Sequence, residues 1–133
     1  MASIPPVVRH LIVCDDVTQA GAPAPNLTVK GLIHAIRLKP GVGFPFRHPG
    51  LTVFVQFSGG VGTGLVQVAV VTADDETAVY ESDPTPLTHP TDRHQVGGVV
   101  FRVLDCVFPR PGLYWVEFRY DGLLVQREPV IVR

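Results

Sequence analysis

The side chains in this chain able to do acid–base, nucleophilic or metal chemistry are five histidines, two cysteines and a few acidic clusters. A zinc site draws its His and Cys ligands from short, regular spacings. His10, His34, His48, His89 and His94 form no such pair with one another or with Cys14 and Cys106. His89 and His94 share one loop, and with a third ligand from elsewhere they would make a transition-metal site. His10 and His34 fall inside strand-like segments and read as packing residues. Asp15-Asp16 offers two hard oxygen donors for a divalent cation. Adjacent residues of an extended chain point to opposite faces, however, and the spacing of a calcium loop is absent, so the pair reads as a solvated turn that ends a strand. Asp74-Asp75-Glu76 reads as a hairpin turn for the same reason.

Cys14 and Cys106 each stand beside aspartate near a strand end. A disulfide would need their Cα atoms within about 7 Å, and the reading preferred here is two buried thiols acting as small apolar residues. A nucleophilic cysteine needs a base and a lowered pKa, and no histidine is placed by sequence to supply one. Gly59-Gly60-Val61-Gly62-Thr63-Gly64 lacks the Lys-Ser/Thr of a phosphate-binding loop and leads into a strand, not a helix. No Gly-x-Ser-x-Gly nucleophile turn occurs. No catalytic residue, cofactor site or metal site is assigned, and the chain is expected not to be an enzyme.

The elements that would position these groups are strands. Thirteen prolines and thirteen glycines interrupt the chain at short intervals, which argues against long helices. The segments between them are rich in Val, Leu, Phe and Thr. Strands are expected over Val7–Cys14, Leu27–Leu38 with a bulge at Gly31, Leu51–Ser58, Leu65–Thr72, Thr77–Glu81, Gly98–Cys106, Leu113–Tyr120 and Leu123–Val132. The intervening stretches at 19–25, 40–50 and 82–95 read as loops. Seven or eight short strands favour an all-β, two-sheet antiparallel sandwich filling one domain over 1–133; a small closed barrel is the alternative.

The last two strands carry the strongest local signal. Asp121-Gly122 between alternating segments suits a type I′ hairpin turn, whose two central residues both need φ > 0. Alternation puts Tyr114, Val116, Phe118 and Tyr120 on one face, the expected core face. Leu113, Trp115, Glu117 and Arg119 share the other face, turned to solvent or to a partner. Tryptophan and arginine are enriched where partners dock, which makes these four the candidate interaction residues. Pro129 cannot donate to a sheet ladder and marks an edge or a bulge.

Composition narrows the partners. Hydrophobic residues make up 46% of the chain and charged residues 17%, with a net charge of −1. That is a folding chain without the basic footprint of a nucleic-acid binder. Apolar runs are strand-sized, too short for a membrane span. Met1 to Pro6 has neither the basic nor the apolar region of a secretory leader. A cytoplasmic protein with free thiols is therefore expected, and the glycosylation pattern Asn26-Leu27-Thr28 reads as chance.

Three segments resemble a family of small bacterial proteins of unknown function: Val7 to Val17, Gly31-Leu32-Ile33-His34-Ala35-Ile36-Arg37, and Pro111 to Phe118. The resemblance spans nearly the whole chain and implies a bacterial β-sandwich with no activity attached. The Pro-Gly-x-Tyr turn at 111–114, followed by an Asp-Gly hairpin, is similar to immunoglobulin-like sandwiches. That is a likeness of fold and supplies no function. The expected function is a protein-interaction or assembly module, in its concrete form a homodimer joined through a sheet face or a strand edge. The alternative is a small-ligand or metal site on the 40–50 and 82–95 loops, with His48, His89, Arg93 and His94 as contacts.

Overall fold

A computed structural model of the chain describes residues 4–20, 26–92 and 94–133. Among the described residues ten strands form, β1 (Val7–Ala20), β2 (Asn26–Leu32), β3 (Ala35–Ile36), β4 (Phe46–Ser58), β5 (Thr63–Thr72), β6 (Ala78–Glu81), β7 (Thr85–Thr88), β8 (Gly97–Phe108), β9 (Gly112–Tyr120) and β10 (Leu123–Val132). Two sheets are built from them, one ordered β2-β1-β4-β8 and the other β3-β10-β9-β5-β6, with β7 also paired to β5. This is the expected all-β two-sheet sandwich, with more strands than the seven or eight expected. Its pairings are antiparallel apart from β3 with β10, which run parallel.

The core lies between the sheets, where alternate residues of facing strands meet. Leu51, Val53, Val55 and Phe57 of β4 and Val66, Val68 and Val70 of β5 meet there with Tyr114, Val116, Phe118 and Tyr120 of β9. The β9 residues are those expected from alternation. The hairpin turn is also as expected, with Asp121 at φ 50° and Gly122 at φ 79°.

Four boundaries differ from the sequence reading. Asp15-Asp16 does not end β1: the strand leaves β4 at Cys14 and continues to Ala20 paired with β2. Asp16 is held inside the strand because its carboxylate accepts from Arg102 Nη1 at 2.8 Å and from the Val17 amide at 2.9 Å. The long strand expected at 27–38 is instead two, β2 and β3, in different sheets. The break falls at Ile33-His34, while Gly31 lies inside β2 at φ 66°, where a Cβ would come within 2.2 Å of the Asp15 carboxylate. β4 begins inside the expected 40–50 loop, and β7 lies inside the expected 82–95 loop, because backbone pairing with β8 and β5 orders both segments. The loop expected at 19–25 falls largely outside the described residues.

Beyond the bend at Asp15 and Gly31, the β1–β2 hairpin covers the outer face of the four-stranded sheet. Cys14 and Val17 pack there on Phe54, with Ile12 and Val29 beside them. A second alternation reversal occurs in β8 at Asp105, at φ 54°. Val99, Phe101 and Val103 face the core before it, and Cys106 and Phe108 after it.

Candidate interaction surfaces

The outer face of β9 is largely closed by its own chain. Trp115 stands between Val71 of β5 and Pro129 of β10. The Arg127 guanidinium lies 4.1 Å above its ring, a cation–π arrangement. Glu117, expected toward solvent or a partner, is buried. Its Oε1 accepts from Arg119 Nη2 at 2.9 Å and Nε at 3.2 Å, and Arg119 Nη1 reaches Glu81 at 3.2 Å. The correction has a simple cause. β9 is a central strand, so Glu117 has Ala69 of β5 on one side and Arg127 of β10 on the other, with Arg119 bonded over it and to Glu81 of β6, a neighbourhood that alternation along one strand does not reveal. Leu113 is exposed, next to Ile131. Pro129 sits where expected, on the stretch of β10 that has β9 on one side and, above β3, no strand on the other.

The histidines do not converge. His89 is buried, its Nε2 3.1 Å from the Tyr120 hydroxyl and its ring edge-on to Phe57. Gly60 presses against the same ring, for a Cβ there would lie 2.2 Å away. Burial lowers the His89 pKa below the ordinary 6.5. His48 accepts from the Gly50 amide through Nδ1 at 3.2 Å, and burial lowers its pKa as well, against the opposing charge of Asp15. His48 lies near the start of β4, while His89 packs on Phe57 near its end. Nine residues of strand put them about 30 Å apart along the sheet. His94 is exposed, and Arg93 lies outside the described residues. Among the described residues no three His, Cys, Asp or Glu side chains are grouped so as to hold a metal ion.

Cys14 and Cys106 are both free and buried, as expected. They occupy opposite faces of one sheet: Cys14 packs on the outer cluster and Cys106 in the core. Burial pushes the Cys106 thiol up to about 12 and also raises Cys14, the reverse of what a nucleophilic thiolate needs. Asp74 and Asp75 lie in the expected turn and are held by Arg110, whose Nη2 sits 2.9 Å from Asp74 Oδ1.

A surface the sequence reading passed over is the free edge of β8. An edge strand offers unpaired backbone groups to any other strand, and proteins blunt it with short length, Lys, Pro or cover. The other exposed edges are blunted in this way. β3 has two residues, β6 four, β7 carries Pro86, β2 carries Lys30, and the open stretch of β10 carries Arg127 and Pro129. β8 runs for 12 residues with neither lysine nor proline. Along it Leu104 is 62% exposed and Val100 39%, with Val107 also exposed. Its sequence carries the pattern, but edge position is set by partners distant in sequence.

Tyr114 ties the turn at Arg110 to the start of β9. Its hydroxyl donates to the carbonyl of Arg110 at 2.5 Å, closing the turn into β9 as the tyrosine corner of immunoglobulin-like sandwiches does. Fold and surfaces together define a small β-sandwich whose longest exposed edge, among the described residues, is β8, which carries neither lysine nor proline. A family model matches residues 9–133, and the chain belongs to that family, a family of unknown function (DUF6941). No curated protein matches it. Among solved structures it is similar to an immunoglobulin-like protein of Pseudomonas aeruginosa, at 10% identity over 98% of each chain with a TM-score of 0.39. Among the described residues no helix is long and apolar enough to cross a membrane.

Proposed function

We propose that this chain is a non-enzymatic protein-interaction module that docks through the edge of β8. The carrying observation is the contrast between that edge, long, apolar and free of lysine and proline, and the blunted edges elsewhere. Strand addition gives affinity through backbone hydrogen bonds and specificity through alternate side chains, and Val100 and Leu104 supply the latter on the outer face. The β9 face is the weaker candidate, since Glu117, Arg119 and Trp115 already have partners within the chain.

A photo-cross-linking residue placed at Leu104 or at Leu113 in the producing cell separates the two surfaces. Adducts from position 104 and none from 113 are expected. Adducts from 113 alone, or from neither position, overturn the assignment to β8.

A further inference from the structure

We infer that the strand seated on β8 is the β8 of a second copy of this chain, running antiparallel; this rests on β8 being the docking edge. The charges on the strand carry the inference. β8 holds one cation and one anion, Arg102 and Asp105. Asp105 is exposed and, among the described residues, no cation pairs with it. Arg102 is half exposed and uses Nη1 alone for both of its contacts, with Asp16 and with Thr52. Both contacts lie on the β4 side of the strand, and the other donors of its fork, which has five in all, reach a partner when the side chain turns to the free edge.

A two-fold axis between Val103 and Leu104 sets Arg102 of each copy opposite Asp105 of the other. Symmetry makes two such ion pairs from one. On either side of the axis the same register also matches the faces of the strand. Asp105, in the left-handed region, reverses the side-chain alternation, so Val100 meets Val107 on the outer side and Phe101 meets Cys106 on the core side. At the axis itself core-facing Val103 lies opposite outward Leu104, so the regular ladder is interrupted over these two central pairs. Shifting the axis onto Arg102 would instead oppose two arginines, a destabilising like-charge pair. In the paired form the two four-stranded sheets become one eight-stranded sheet, and both exposed edges disappear.

Light scattering over a concentration series tests this on the full chain. A mass rising to about 29 kDa, twice the 14.4 kDa of the chain, is expected. Asp105→Asn keeps a residue that tolerates the left-handed backbone and removes both ion pairs; the dissociation constant should rise about twofold to thirtyfold, as two exposed pairs imply. Val100→Lys should abolish the dimer, while Leu113→Lys on the other sheet should leave it intact. Circular dichroism and melting confirm that each variant folds. A dimer indifferent to both β8 substitutions overturns the inference, and so does a monomer up to about 1 mM, where even weak association shows. A monomer that still forms adducts from position 104 removes the second copy and leaves the β8 edge standing; a monomer with no such adducts removes both.

Discussion

His89 is a buried imidazole that shares a hydrogen bond with the Tyr120 hydroxyl and, among the described residues, has no carboxylate bonded to it to offset a positive charge. Because its folded pKa lies below that of the unfolded chain, the unfolded state takes up the proton first. Stability is therefore full above about pH 6.5 and is lost as pH falls from there toward the depressed folded value. Melting temperature should drop over that interval, and His89→Gln should flatten the drop if His89 is its source. Asp75 acts at lower pH. Hydrogen bonds from Thr72 and Thr77 hold its carboxyl down to about 2, so its contribution persists as pH falls to about 3.8 and fades below. The thiols give a separate readout. With both cysteines buried, a thiol reagent should modify the folded chain only as fast as it opens. Cys14 should react ahead of Cys106, since it lies under a two-stranded arm and not between the sheets.

Among the elements, the hairpin of β9 and β10 is set by its turn, and the sheet end beside it by close packing. Gly122 sits at φ 79°, where a side chain is strained; Gly122→Ala should cost about 1 kcal/mol in a denaturant melt. Gly64→Ala should cost more, about 1–3 kcal/mol, because its Cβ would fall 2.1 Å from the Tyr120 ring. Glu117→Ala leaves Arg119 without its nearest carboxylate on a largely covered face, and about 2–3 kcal/mol is expected for losing buried, charge-assisted bonds. Full stability in that variant would show that the ion pair is not what closes the β9 face.

At the scale of the whole molecule, how the edges are treated decides how it meets other proteins. Lysine, proline and shortness blunt most of them, and β8, with none of these, stands apart. The predicted consequence is an association that depends on β8 and weakens with added salt, since exposed ion pairs are screened. Salt-independent association would point to the apolar side chains alone.

Much of this was legible in the residues themselves. The Asp121-Gly122 turn, the core face of Tyr114 to Tyr120, the left-handed backbone at Gly31 and the edge marked by Pro129 all follow from φ preferences and period-two alternation, which act over a few neighbouring residues. The burial of Glu117, the scattering of His48, His89 and His94, the placement of the cysteines on opposite faces of one sheet and the exposure of β8 do not. Each depends on which strands become neighbours, and that is settled by pairing between segments tens of residues apart. Alternation tells a side chain which face it takes; only the assembled sheets decide what lies on that face, and which strand is left at the edge.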